Sequence, residues 1–146
     1  MLVYVDTSVL VAAHTREPHT ETAQAWLAGQ SGGGVIVSVW TLLECESALT
    51  IKQRRGELDA AGQMAAMTEI DALAGCFAPA TTPTEADHRR ARELCQYAPS
   101  GLRAGDALHL AIARRLQTSH FATLDQTLAS NAAAHGLALS IPMIKP

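Results

Sequence analysis

Four acidic residues stand where a single cation-holding cluster would need them: Asp6 in VYVDTSVL, Glu44 in SVWTLLECESAL, Asp106 in RAGDALHLAIA and Asp125 in FATLDQTL. Each follows an apolar run or opens a predicted helix. Carboxylates gathered without matching cations repel one another, so such a group implies a metal. The chain has no C-x-x-C and no paired His to supply softer ligands. Oxygen-only donors favour Mg2+ or Mn2+ over zinc. A metal held this way can activate water and clamp a leaving oxygen, which is the chemistry of phosphodiester hydrolysis.

Taken singly, each acid has a plainer reading. An Asp at a strand end before Thr-Ser often only caps a helix. Glu44 could be a surface helix residue, and Glu46 beside it is a rival. Asp106 and Asp125 could also be caps. The four are raised above those roles by the edge to which the predicted elements deliver them.

LVYV at 2–5 reads as a buried strand ending at Asp6, followed by a short helix over Thr7 to His14. A helix over Thr20 to Ala28 closes at Gly29. VIVSV at 35–39 is the next strand, and a helix from about Thr41 to Arg55 stops at Gly56. Further helices are expected over 57–73 and from Pro83 to about Tyr97, with a weaker strand at 76–80 between them. The spacing of Ala104, Ala107, Leu108 and Ala111 predicts a helix from about Arg103 to Gln117. Strands at 120–124 and 137–141 flank a helix over Asp125 to His135.

Strands alternating with helices predict a parallel sheet covered on both faces, with ligands outside the C-terminal strand ends. Asp6 and Asp125 follow strands and reach that edge. Glu44 lies early in the helix leaving the second strand. Asp106 begins a helix that must run from the active edge back to the start of the strand at 120. A helix N-terminus also favours a carboxylate.

A length of 146 residues, with 48% apolar residues, suits one domain with its own core, 1–146. Aromatics are 4% and the net charge is −3, so neither a broad stacking platform nor a nucleic-acid-coating basic face is expected. Cys45, Cys76 and Cys95 are odd in number and widely spaced, which fits reduced thiols in the cytoplasm. No signal peptide is read, and no apolar run reaches the ~18 residues of a membrane span.

Over almost its whole length the chain resembles the PIN-domain ribonucleases, and most closely the VapC-type toxins of bacterial toxin–antitoxin pairs. VDTSVLVA carries the opening Asp-x-Ser element, Asp6 and Ser8. SVWTLLECESAL carries the second, where Glu44, six residues after Ser38, is selected over Glu46. RAGDALHLAIA carries the third around Asp106, and FATLDQTL the closing Thr-x-Asp, Thr123 and Asp125. The resemblance implies a three-layer α/β/α fold on a parallel sheet of four to five strands. It implies Mg2+- or Mn2+-dependent cleavage of RNA at Asp6, Glu44, Asp106 and Asp125. Ser8 and Thr123 are expected to hold those carboxylates or a metal-bound water. A homodimer and a small cognate antitoxin are implied as well. His109, three residues past Asp106, reads as a packing or supporting residue rather than a general base.

Two other classes compete. A PIN scaffold that binds RNA or protein without cleaving would be marked by a missing acid, and all four acids are present. A haloacid-type phosphatase needs an Asp where Ser8 stands, and a receiver domain needs a Lys at an internal strand end. Only Lys52 and Lys145 exist.

Overall fold

Val3, Tyr4 and Val5 form β1, a strand buried on both faces. In the computed structural model it is the second strand of a four-stranded sheet in the order β2-β1-β3-β4, with every pairing parallel. The structure describes residues 1–143, so Lys145 and the last residues of the expected domain lie outside the described residues. β2 is Val35–Ile36, β3 is His120–Ala122 and β4 is Ala138–Leu139. Among the described residues the α-helices are α1 (Thr7–His14), α2 (Thr20–Ala28), α3 (Val39–Arg54), α4 (Ala60–Ala74), α5 (Glu85–Gln96), α6 (Ala104–Arg115) and α7 (Gln126–Ala134).

The period-2 geometry of β1 divides the core in two. Val3 and Val5 join Leu10, Ala12, Cys45, Leu49 and Ile70 on the face covered by α1 to α4. Tyr4 points the other way, among Leu108, Leu110, Phe121 and Leu128 under α5, α6 and α7. The result is the expected α/β/α layering. The small side chains Ala107, Ala111 and Ala113 are buried along α6 and let it lie close to the sheet.

Several expected boundaries move, for local reasons. The strand at 35–39 is only two residues long because Ser38 caps α3: its Oγ accepts from Thr41 N–H, and Thr41 reciprocates to the Ser38 backbone. α3 therefore starts at Val39, two residues earlier than expected. The segment at 76–80 is not a strand, although Ala78 N–H bonds Val35 C=O and Thr81 N–H bonds Val37 C=O. Pro83 lies before the helix it was expected to open, since Thr84 is the cap and α5 begins at Glu85. The strand at 120–124 ends at Ala122, freeing Thr123 to point at the site. Cys45, Cys76 and Cys95 are all free thiols. Among the described residues no helix is long and apolar enough to cross a membrane.

Candidate active site

β1 has β2 on one side and β3 on the other, so the chain reverses its direction of winding beside it. In open parallel sheets this switch point is where ligands bind. Asp6 leaves β1 there, and Thr123 and Asp125 leave β3 in register with it, Val5 opposite Ala122. The Asp6 N–H bonds Ala122 C=O at 3.1 Å, which ties the two exits together.

Asp6 is buried and held by three donors. Ser8 N–H and Ser8 Oγ–H reach Oδ1 at 3.2 and 2.6 Å, and Thr123 Oγ–H reaches Oδ2 at 3.1 Å. Each hydroxyl is itself oriented by a backbone donor from the β3 exit: Leu124 N–H to Ser8 Oγ at 2.9 Å and Asp125 N–H to Thr123 Oγ at 3.0 Å. These are the two residues expected to hold a carboxylate, and both hold Asp6. Burial nevertheless pushes the Asp6 carboxyl up to about 6, against the charge of His109 and these hydrogen bonds, with Asp106 adding to the rise.

Asp106 lies in the first turn of α6, half-buried. Burial and then the charge of Asp125 raise its carboxyl above the ordinary range; Glu44 adds to this, while His109 and Arg103 oppose it. Among the described residues no hydrogen-bond donor reaches it. Asp125 is exposed and caps α7, accepting from Leu128 N–H at 2.8 Å.

Glu44 comes to the same edge but is turned to other partners. Its Oε1 accepts from Thr7 Oγ–H at 2.7 Å and is paired closely with His109 Nε2. Burial would raise its carboxyl, yet the hydrogen bond and charge of His109, with Thr7, hold it below the usual range. Its Oε2 faces Gly105, where a Cβ would come within 2.9 Å of that oxygen and 3.2 Å of the Trp40 ring. Glycine is thus what lets Glu44 and Trp40 close on the start of α6. Trp40 Nε1–H bonds Gly105 C=O at 3.3 Å.

The four acids therefore share an edge and an electrostatic field, but they do not form one ready cage. Among the described residues no three His, Cys, Asp or Glu side chains are gathered closely enough to be a ligand set. Asp106 alone of the four accepts no hydrogen bond among the described residues: Asp6 has Ser8 and Thr123, Asp125 has Leu128 N–H, and Glu44 has Thr7 and His109. Sequence reasoning missed Thr7, Tyr4 and the pairing of His109. The signals were there: a tyrosine in a buried strand needs a partner for its hydroxyl, and His109 follows Asp106 by one helical turn.

The parallel sheet in this strand order, with helices on both faces and acids at its switch point, defines a three-layer α/β domain. The sequence matches the PIN domain family over residues 3–134, and the chain belongs to that family. No curated protein matches it. Among solved structures it is similar to VapC20 of Mycobacterium tuberculosis, described as a toxin that cleaves the sarcin–ricin loop, with 19% identity, 99% of each chain covered and a TM-score of 0.72. It is also similar to FitAcB from Neisseria gonorrhoeae, at 19% identity over 94% of this chain and 96% of that one, TM-score 0.71. PAE2754 from Pyrobaculum aerophilum gives 19% identity over 96% and 84%, TM-score 0.65. At this identity the likeness is one of fold.

Proposed function

We propose that this protein is a metal-dependent endoribonuclease acting as the toxin of a toxin–antitoxin pair. One observation carries the reading: Asp106, half-buried at the switch point beside Asp6 and Asp125, accepts no hydrogen bond among the described residues, and its burial with the charge of Asp125 outweighs what His109 and Arg103 offset. Negative charge left uncompensated in an oxygen-only set is what a hard cation needs. A cage of three ligands is not required, because Mg2+ commonly keeps several waters and takes one or two carboxylates. The donor chemistry therefore fits Mg2+ or Mn2+, with Asp6 and Asp106 as direct holders and Asp125 and Glu44 acting beside them. When bound, the metal would supply an activated water and neutralise charge on the scissile phosphate.

The chain's own residues do the rest. Ser8 and Thr123 fix the Asp6 carboxylate so that its oxygens cannot turn away. Thr7 and His109 do the same for Glu44. The exposed carboxylate of Asp125 leaves one side of the site open to a polymer.

The partner reading is supported by the family and by structures of the same fold, among them FitAB bound to a DNA fragment, at 18% identity, 99% of each chain covered and a TM-score of 0.69. A small neighbouring-gene antitoxin would cover the acidic edge, and an Arg from it could pair bidentately with a carboxylate and displace metal. A homodimer belongs to the same reading. Of the apolar residues on α3 and α4, Leu49 and Ile70 are core, while Leu43 and Met64 are exposed and could meet a second copy. Val39 and Leu43 border an apolar cavity of about 840 Å³ that continues over Pro83, Ala91 and Leu108. A single domain and a cytoplasmic location complete the proposal.

The test is cleavage of RNA by purified protein with Mg2+ or Mn2+, against EDTA and against Asp106→Asn. Metal-dependent strand breaks lost in the variant support the reading. Equal cleavage by both proteins would overturn it. A binding scaffold would retain RNA or a protein partner and cleave under neither metal.

A further inference from the structure

A chain of buried polar groups runs from the middle of the sheet to Glu44. Ser38 Oγ, which caps α3, accepts from the Tyr4 hydroxyl at 3.0 Å. Tyr4 Oη meets His109 Nδ1 at 2.8 Å. His109 Nε2 closes on Glu44 Oε1, which also receives Thr7 Oγ–H. Ser38 and Tyr4 are 0% and His109 1% exposed, so water does not compete for the inner part of this chain, while Glu44 at its end is partly open to solvent. Phe121 stacks on Tyr4 at 5.6 Å and Trp40 packs over His109 at 6.4 Å, so neither ring is free to turn.

An ionised carboxylate only accepts hydrogen bonds, so both Thr7 and His109 must donate to the same oxygen of Glu44. That leaves Oε2 as the one oxygen turned toward the start of α6, where Gly105 makes room for it. Six different elements or caps contribute: β1, the Ser38 cap, α1, α3, β3 and α6. Such an arrangement is costly if it serves packing alone, because a Phe at 4 and a Leu at 109 would fill the space without a buried polar chain.

Resting on the nuclease reading, we propose that His109, braced by Tyr4, is a positioning residue that acts through Glu44 and takes no direct part in holding metal or phosphate. It fixes which carboxylate oxygen Glu44 offers to the site.

Two variants separate the halves of the imidazole. His109→Gln can place an amide N–H near the Nε2 position and keep a donor for Glu44. His109→Asn mimics Nδ1 instead, keeping a contact to Tyr4 and losing that donor. Steady-state cleavage should show kcat lowered roughly ten- to a hundredfold in His109→Asn, with KM within about threefold of the parent and partial recovery in His109→Gln. Mn2+ binding to the free protein, followed by electron paramagnetic resonance, should stay within about threefold in both. The cycle with Glu44→Gln is the sharper readout: His109→Asn should add no further loss of kcat in that background. Tyr4→Phe removes one hydroxyl and keeps the ring stack. It should lower kcat by a smaller factor, again only when Glu44 is present, and it serves the test if His109→Asn does not fold.

Losses that multiply in the double variants, or unchanged kcat in His109→Asn and Tyr4→Phe, would overturn the proposal. So would a loss of Mn2+ binding in step with activity, which would make His109 part of the metal site. If the parent protein cleaves no RNA under any metal, the nuclease reading fails and this proposal falls with it. Cleavage by the parent without coupling to Glu44 removes this proposal alone.

Discussion

On the proposed reading, Asp6 and Asp106 face opposite demands: folding disfavours their charge and a cation requires it. For Asp6 the consequence is a pH dependence with a definite sign. Its native carboxyl sits at about 6 against 3.8 for the free group, so between those values the folded state binds more protons than the unfolded one. Stability of the metal-free protein should therefore fall as pH rises through that window, by about 3 kcal/mol at most for this group. Urea titrations in EDTA at pH 4.5 and 7 will read it. Asp6→Asn should flatten the dependence and leave the melting temperature at pH 7 equal or higher, while abolishing cleavage. A large loss of stability on this substitution would mean that the Ser8 and Thr123 bonds matter more than the buried charge. Ser8→Ala and Thr123→Val should lower activity or metal affinity about ten- to a hundredfold, as partners that orient a ligand do.

The sequence made the acids legible because strand ends and helix starts announce themselves through apolar runs and caps. α1 and α2 were expected at the bounds they have, as Thr7, His14, Thr20 and Gly29 punctuate them. Asp106 was placed at the correct edge by asking only which way its helix must run. The direction of Glu44 was not legible. It depends on His109, 65 residues away, and on a hydroxyl from β1, and no local pattern encodes such a meeting. The short β2 was misjudged because SVW reads equally well as strand or as cap and first turn. At this scale α5 and α6 are joined by Asp87, whose carboxylate accepts from the Thr84 backbone N–H and from Arg115 Nε–H at 2.8 Å. Burial would raise the Asp87 carboxyl, but Arg115 and Thr84 hold it below its ordinary range. Its stabilising contribution is thus present above the unfolded value and lost as pH falls below it. Asp87→Ala strips half a capping box and the partner of Arg115, which is a third exposed and stays solvated, and should cost about 1–3 kcal/mol in urea unfolding. The folded fraction should still cleave, since Asp87 lies away from the acidic edge.

For the whole molecule, ligands that bind only the folded state must stabilise it. Mn2+ at a hundred times its dissociation constant should add about 2.7 kcal/mol. The increment should shrink at pH 5, where Asp6 is protonated, and should be lost in Asp106→Asn; scanning calorimetry at both pH values checks this. Co-expression with the adjacent reading frame should yield a complex that cleaves no RNA and arrests no growth. Growth arrest that no neighbouring protein relieves would remove the toxin–antitoxin part of the reading and leave the nuclease part standing.

The stitching of Asp6 to Thr123, 117 residues apart, also sets a schedule. β1 is made well before the partner strand on its β3 side and the hydroxyl that steadies Asp6, which lies 117 residues further along the chain. At a pace of about 5–20 residues per second, the ribosome holds a chain with one half of its active edge missing for several seconds. Pairing across so long a loop is slow in itself. On the nuclease reading, a nascent chain still short of β3 lacks Thr123 and Asp125, and fragments ending before β3 should be inert whatever acids they carry. A nascent antitoxin made nearby would have that interval in which to arrive.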